Sequence, residues 1–171
     1  MSAEAMVATN NLLENMQGKY LMFCTGNHEY GLGVRQVREI IGGMLPVTPI
    51  PRTRNYVRGI INLRGKIIPV IDLRLRLGLP GIPYHERTCI IISEIFAENS
   101  RILAGIIVEQ VKEVLFLTEN MLERTPAMES SHSWILCLAK INGQLKTLID
   151  IDHLINAEEL VPFSETEDSA K

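Results

Sequence analysis

Val34-Arg-Gln-Val-Arg-Glu-Ile40 recurs further along the chain as Val108-Glu-Gln-Val-Lys-Glu-Val114, at an offset of 74 residues. A second pair follows in the same order, because Leu63-Arg-Gly-Lys-Ile-Ile-Pro-Val-Ile-Asp72 matches Ile141-Asn-Gly-Gln-Leu-Lys-Thr-Leu-Ile-Asp150 at an offset of 78. Two blocks that recur in one order indicate an internal duplication. The spacing exceeds the ~20–50-residue periods of solenoid repeats, so it predicts a pair of related lobes rather than an array.

Short strand patterns surround the repeated blocks. In the first half they cover residues 19–25, 29–34, 44–47, 59–63 and 66–71, and in the second half they begin at 88–95 and 101–108. Turn sequences separate them at Asn27-His28, Arg64-Gly65 and Asn142-Gly143. Closely spaced short strands with such turns are typical of small barrels or sandwiches. The sequence therefore predicts an all-β fold of two lobes.

Single helical turns should follow the two Ile-Asp endings, at residues 73–77 and 152–156. Asp72 and Asp150 then stand where a carboxylate caps the first backbone N–H groups of a helix. Residues 1–17 and 157–171 are polar, and the second of these stretches is acidic. We expect both to be flexible extensions of the domain.

Composition favours a folded protein with no membrane span. Leu, Ile, Val and Phe make up 55 of the 171 residues, well above the ~20% that marks disorder. No apolar run approaches the ~18 residues of a transmembrane helix. Cys24, Cys89 and Cys137 lie far apart in apolar strands, which is typical of buried, reduced thiols in a cytoplasmic protein.

Charge is distributed unevenly along the chain. The net charge is −3, but residues 35–87 hold nine arginines and one lysine against three acidic residues, a net of +7, and the remainder carries −10. The basic segment could face an acidic protein, a nucleic acid or the rest of this molecule. Aromatic residues that would stack on single-stranded nucleic acid are few in it, so nucleic-acid binding is the weaker alternative.

Motifs for catalysis, cofactors and metals are incomplete. Gly31-Leu-Gly33 lacks the third glycine of a dinucleotide fingerprint, since Gln36 stands in its place. The stretch from Gly59 to Lys66 is one residue too long for a phosphate-binding loop. The four histidines are not spaced as ligands. We expect neither enzymatic activity nor a bound cofactor or metal ion.

The duplicated valines suggest a surface for a partner. Val37 and its counterpart Val111 are core candidates, but apolar residues that border a cleft between two lobes can also hold a helix. Arg64 lies in a tight turn, and Glu39 is a carboxylate able to hold its guanidinium group by a two-point contact. That pairing is a hypothesis at the level of sequence.

The sequence resembles the CheW domain of bacterial chemotaxis. The resemblance rests on Lys19-Tyr-Leu-Met-Phe23, on Thr48-Pro-Ile-Pro51, on the specific run from Tyr56 to Leu73, and on residues 104–114 and 135–151 of the second copy. It covers residues 18–156 and implies two SH3-like five-stranded β-barrel lobes, with lobe-like repeats at about 19–79 and 86–156. Exchange of strands between the lobes stays open.

The resemblance also implies a function. CheW-like adaptors are cytoplasmic scaffolds without catalysis that couple transmembrane chemoreceptors to the histidine kinase CheA in membrane-associated arrays. They bind the cytoplasmic tip of methyl-accepting chemoreceptors and the regulatory domain of the kinase. We expect no membrane insertion and a monomeric isolated chain. Similar adaptors serve surface motility or developmental signalling, so the pathway stays open.

Residue by residue, the resemblance places receptor-binding and kinase-binding surfaces on this chain. The receptor-binding residues would be Val37, Glu39, Gly59, Arg64, Val108 and Val111. The kinase-binding residues would be Ile41, Gly42, Met44, Pro49, Pro51 and Arg52. One departure lies at Glu109, where the family usually has an aspartate that is one methylene shorter.

Overall fold

The computed structural model describes residues 12–43, 46–126 and 132–164. Four short helices occur in them: α1 at residues 12–16, α2 at Leu73–Arg76, α3 at Ile151–Leu154 and α4 at Ala157–Leu160. Single 3-10 turns lie at Val34–Gln36, Glu119–Met121 and Val161–Phe163. The strands are β1 Gly18–Thr25, β2 His28–Gly33, β3 Val37–Gly42, β4 Val57–Leu63, β5 Lys66–Asp72, β6 Cys89–Ala97, β7 Ser100–Val108, β8 Gln110–Leu117, β9 Leu122–Glu123, β10 Ile135–Ile141 and β11 Gln144–Ile149.

The strands form two sheets that together make two SH3-like lobes. Lobe 1 has the strand order β8-β1-β2-β11-β10-β9, and lobe 2 has the order β3-β6-β7-β5-β4. The first hairpin of the chain, β1–β2, therefore completes the sheet of the second copy. The hairpin β6–β7 of the second copy completes the sheet of the first. In each sheet, one parallel strand pair joins the exchanged hairpin to the other copy: β2 pairs with β11, and β7 pairs with β5.

Three apolar clusters explain why the exchanged hairpins are so apolar. Tyr20 and Met22 on β1 point into lobe 1, while Ile90 and Ile92 on β6 point into lobe 2. The alternate residues of the same strands, such as Leu21 on β1, enter one shared core between the lobes. Both faces of these strands are buried, so their sequences read as continuous apolar runs instead of alternating ones.

The centre of each lobe is too tight for a side chain on one strand. A Cβ atom on Gly31 would lie 2.5 Å from Leu148 Cδ2 and 2.9 Å from Met22 Sδ. Gly105, 74 residues later, would place its Cβ 2.9 Å from Ile90 Cγ2. The two glycines hold the same position in the two copies, where the parallel partner strand passes closest.

The turns and caps expected at both block ends are present. Asp72 accepts the backbone N–H groups of Arg74 and Leu75, and Asp150 accepts that of Asp152. Arg64 and Asn142 begin the two equivalent hairpin turns with φ of 52° and 51°. Each is followed by a glycine with positive φ, as a two-residue turn between strands requires.

Several local expectations differ from the structure. The strand predicted at residues 44–47 falls partly outside the described residues, and residues 46 and 47 are not in a strand. The first hairpin turns at residues 26–27, one residue earlier than expected. Helical structure continues past residue 156, because Ala157 and Leu160 are apolar positions on α4 that enter the shared core. The stretch from residue 157 onward is largely polar, so its composition does not indicate that Ala157 and Leu160 are buried.

Replacing Gly31 by alanine should lower the free energy of unfolding by about 1–3 kcal/mol, because the new methyl group overlaps Leu148 and Met22 in a close-packed interior. Urea denaturation followed by circular dichroism measures the change. Gly42→Ala is the matched control, since its Cβ would meet no atom within 4 Å, and it should stay within about 0.5 kcal/mol of the parent. Equal stability of Gly31→Ala and the parent would contradict the packing described for lobe 1.

Candidate docking surface between the lobes

The repeated blocks at residues 34–40 and 108–114 run into two edge strands, β3 and β8 respectively. Each strand is the first in its sheet, and each pairs on one side only, β3 with β6 and β8 with β1. Val37 on β3 and Val111 on β8 are half-buried, and both pack against the shared core. The two valines thus lie at the margins of the same apolar cluster, one on each lobe.

Apolar side chains continue outward along both strands. Ile40 lies opposite Ile91, and Val114 lies opposite Leu21. Since cross-strand neighbours share a face of a sheet, both residues face the side of the shared core. Ile40 is 41% exposed and Val114 is 53% exposed. We call Val37, Ile40, Val111 and Val114 the inter-lobe surface.

Ile40 and Val114 were not among the residues assigned by resemblance to receptor binding. The signal was in the sequence, because both stand at the last position of the repeated block. Phe116, two residues beyond Val114, is 60% exposed. It lines a cleft of about 490 Å³ that also includes Gln36, immediately before Val37. The apolar surface therefore extends further along β8 than the sequence analysis indicates.

Strand β3 also carries one member of a charged pair on lobe 2, because Glu39 lies between Val37 and Ile40 in the sequence. Arg64 Nη1 donates to Glu39 Oε2 at 2.8 Å, and Arg64 Nη2 donates to Glu39 Oε1. The Arg64 side chain is 71% exposed. The hydrogen bonds from Arg64 lower the pKa of the Glu39 carboxyl, and Glu39 in turn raises the pKa of the arginine. The two-point contact that the sequence suggested is present in the structure.

An irregularity in the backbone of β3 separates the contacts of Arg38 from those of Glu39. A β-bulge at Arg38 lies between Val37 and Glu39. Arg38 Nε donates to the buried carboxylate of Glu94 at 2.7 Å, whereas Glu39 is left on the side of Arg64. The pKa of Glu94 is lowered, chiefly by the hydrogen bond from Arg101 and further by that from Arg38. The bulge redirects neighbouring side chains, so along one strand Arg38 pairs with Glu94 and Glu39 pairs with Arg64.

The second copy has no equivalent pair. Asn142 occupies the turn position of Arg64, and Glu113 occupies the strand position of Glu39. The inter-lobe surface is therefore nearly symmetric in its apolar residues and asymmetric in its charges. A partner that touches both lobes meets the guanidinium group on lobe 2 only.

Gly59 and Val108 lie below the surface. Val108 is 1% exposed and belongs to the shared core. Gly59 is buried, and a Cβ there would lie 2.0 Å from the carbonyl oxygen of Thr48. Its φ of 139° also favours glycine. The packing of the chain itself covers both residues, and their contact with a partner stays a prediction.

The residues assigned to kinase binding lie at the end of β3 and in the segment before β4. Gly42, Pro49, Pro51 and Arg52 are exposed, whereas Ile41 is half-buried and packs against the core of lobe 2. Met44 lies outside the described residues. Arg52 has a φ of 64°, and Thr48 forms a bridge to Ile60 that holds the segment on β4.

Many arginines of the basic segment contact the rest of the molecule. Besides the pairs of Arg38 and Arg64, Arg74 Nη1 lies 3.4 Å from Glu109 Oε1, and Arg76 Nε donates to the carbonyl of Leu154 at 2.7 Å. Glu109, in the connection between β7 and β8, also accepts the backbone N–H of Gly26 in the turn of the first hairpin. Part of the positive charge is thereby neutralised within the protein.

Residues 12–43, 46–126 and 132–164 hold no group of three or more His, Cys, Asp or Glu side chains arranged to bind a metal ion. Across the same residues no helix is long and apolar enough to cross a membrane. The site described above consists of apolar side chains and the Glu39–Arg64 pair.

Fold and surface together define a two-lobed β scaffold with an apolar surface between its lobes. The CheW-like domain model matches residues 19–159, and the chain belongs to that family of chemotaxis scaffolds. It is 34% identical over 149 residues to the chemotaxis protein CheW of Klebsiella aerogenes, covering 86% of this chain and 87% of the relative. It is 31% identical to the chemotaxis protein CheW of Rhizobium meliloti, covering 86% and 93%.

A solved structure agrees with the fold. The scaffolding protein TtCheW from Thermoanaerobacter tengcongensis superposes with a TM-score of 0.73 at 34% identity, covering 84% of this chain and 97% of that protein.

Removing the guanidinium group of Arg64 should raise the pKa of Glu39 towards its ordinary value, since the hydrogen bonds from Arg64 are the main cause of its lowering. Carbon-detected NMR titration of the Glu39 carboxyl, in the parent and in Arg64→Ala, measures the shift. Arg52→Ala is the control, because Arg52 also has a positive φ and an exposed side chain and should leave Glu39 unchanged. A Glu39 titration that is identical in all three proteins would show that the pair does not form in solution.

Proposed function

We propose that this chain couples transmembrane chemoreceptors to the histidine kinase CheA. It binds the cytoplasmic, membrane-distal tip of the receptor through the inter-lobe surface with Glu39 and Arg64. It binds the regulatory domain of the kinase through Ile41, Gly42, Pro49, Pro51 and Arg52. Membership of the CheW-like family supports this assignment, as do relatives named chemotaxis proteins.

The observation that carries the receptor part is the Glu39–Arg64 pair beside an apolar surface. A guanidinium group has five N–H donors in a fixed plane. Glu39 takes two of them and fixes the direction of the group. The remaining donors are free to meet a carboxylate or carbonyl of a partner without first losing the mobility of a long side chain.

The apolar part of the surface suits a helix. Val37 and Ile40 on one lobe, and Val111 and Val114 on the other, offer two short apolar edges with the shared core between them. An amphipathic helix presents its apolar residues at spacings of three and four and can dock them on such edges. A helical receptor tip with a polar residue facing Arg64 matches this combination.

The kinase part is supported by exposure and rigidity. Pro49 and Pro51 are exposed, and proline limits the backbone freedom that binding would otherwise have to remove. Strand β3 contributes Val37 and Glu39 to one proposed surface and Ile41 and Gly42 to the other. One edge strand thus connects the two partners directly.

The central experiment is kinase autophosphorylation with purified CheA, chemoreceptor-containing membranes and this protein. We expect a large rise that requires all three components. Arg64→Asn should lower the receptor-dependent rise about tenfold or more, because a central anchor is lost. Asparagine keeps the turn, since Asn142 occupies the equivalent turn with nearly the same φ. Asn142→Arg is the reciprocal control and should leave the rise intact.

Two results would contradict the proposal in different ways. Full activity of Arg64→Asn would remove the pair from the receptor contact. Absence of any rise, with a competent positive control, together with direct binding to the kinase regulatory domain, would assign the chain to another receptor–kinase pathway such as surface motility or developmental signalling. Nucleic-acid binding, the weaker alternative, would appear as affinity for nucleic acid that falls steeply with added salt.

The apolar edge predicts a second, independent effect. Val114→Ser should weaken binding to receptor-containing membranes several-fold, because it removes an exposed apolar contact from the inter-lobe surface without opening a cavity. Leu145→Ser is the matched control, since Leu145 is exposed to a similar degree on lobe 1. Co-sedimentation with the membranes measures both variants. Equal binding of the two would place the receptor elsewhere.

A further inference from the structure

The C-terminal segment from Ala157 to Phe163 is held in place by apolar contacts with the shared core. Ala157 and Leu160 are buried in the shared core, and Val161 packs against it. Asn156 accepts the backbone N–H of Glu158 and so caps α4. The segment consequently holds a fixed place over the junction of the two lobes.

Two adjacent glutamates on α4 reach different parts of the chain. Glu158 Oε1 accepts the backbone N–H of Glu98, in the turn between β6 and β7, at 3.1 Å. Glu159 Oε2 accepts the hydroxyl proton of Tyr56, and Glu159 Oε1 lies 3.6 Å from Arg54 Nε. Among the described residues, Glu159 therefore bonds to the loop that precedes β4, whereas Glu158 bonds to the β6–β7 turn.

Tyr56 is fixed from its other side as well. The guanidinium carbon of Arg76 lies 5.6 Å from the centre of its ring, within reach of a cation–π contact. Arg76 itself donates to the carbonyl of Leu154, which belongs to α3. Burial, together with the Glu159 carboxylate, raises the pKa of Tyr56 to about 12, so this hydroxyl keeps its proton and remains a donor throughout the neutral range.

An open cleft of about 460 Å³ lies beside the contact between Glu159 and Arg54. One wall comes from the loop with Arg52, Thr53 and Arg54, and the other from the C-terminal segment with Glu158, Glu159, Pro162 and Phe163. Phe163 is half-buried at the cleft, and the buried core clusters of the described residues do not include it. The cleft therefore offers an apolar surface between two charged rims.

We propose that this cleft is part of the kinase-binding surface and receives an apolar side chain of the kinase regulatory domain flanked by an acidic group. Glu159 acts as a positioning residue, because it holds the loop in which Pro51 and Arg52 lie. The proposal rests on the proposed function. Two observations favour this occupant: the cleft is continuous with the proposed kinase loop at Arg52, and the exposed guanidinium groups of Arg52 and Arg54 on its rim complement an acidic neighbour.

The test is calorimetric titration of the full chain with the isolated kinase regulatory domain. Phe163→Ala should weaken binding about tenfold, because it empties the apolar part of the cleft. Glu159→Gln should weaken binding about three- to fivefold through the loop, whereas Glu158→Gln should stay within about twofold. Leu145→Ala, an exposed apolar truncation on lobe 1, should leave the affinity unchanged.

A positioning role has its own signature. Tyr56→Phe should also weaken binding, and adding it to Glu159→Ala should cause no further loss, because Glu159→Ala already removes the carboxylate that accepts the Tyr56 hydroxyl proton. Thermal unfolding midpoints and co-sedimentation with receptor-containing membranes should match the parent protein. Additive losses in the double variant would overturn the positioning role.

The outcomes separate the two proposals. A parent protein that binds the regulatory domain, with Phe163→Ala binding equally well, overturns the cleft and leaves the proposed function standing. A parent protein that does not bind the regulatory domain overturns both the kinase part of the proposed function and the cleft. Weakened binding in Glu158→Gln equal to that in Glu159→Gln would assign the effect to lost negative charge and would contradict loop positioning.

Discussion

The packing of the two exchanged hairpins against each other is the contact on which the rest of the molecule depends. Each of these hairpins supplies the central strands of one sheet and, on its other face, half of the shared core. Burial of a large aliphatic side chain stabilises a fold by about 1.5–3 kcal/mol, and residues such as Leu21 and Ile91 are almost fully buried there. Neither lobe can move far from the other without exposing this cluster, so surfaces that span both lobes are rigidly spaced.

That rigidity decides what the edges can do. Strands β1 and β6 lie inside their sheets, so their neighbours β8 and β3 are the edge strands beside the shared core. Both edge strands carry half-exposed apolar residues. Duplication alone would make these edges equivalent. Arg64 in one turn and Asn142 in the equivalent turn break this equivalence, so the two lobes differ in charge next to similar apolar residues. The loop before β4 and the C-terminal segment border a cleft of about 460 Å³.

Much of this organisation could be predicted from sequence, and the remainder could not for physical reasons. The duplication, the caps at Asp72 and Asp150 and the Glu39–Arg64 pair depend on local spacing or on two residues, and all are present. The exchange of hairpins is invisible locally, since a strand buried on both faces reads the same whichever sheet it joins. Burial of Val108 depends on that exchange. The role of Gly59 depends on the path of Thr48, and the anchoring of α4 rests on only two apolar residues within a polar stretch.

The exchanged connectivity also governs how the protein is made. The sheet of lobe 2 is complete once residue 108 has left the ribosome, but β2 acquires its parallel neighbour only when Ile149 emerges, 117 residues after Leu32. At ~5–20 residues per second, synthesis of the last stretch takes several seconds. During that time the first hairpin has an open edge and an uncovered apolar face, the state in which strands associate with foreign chains. Nascent molecules of this topology therefore keep this edge open until residue 149 has emerged, and a message truncated after the first repeat yields a product that cannot complete either sheet.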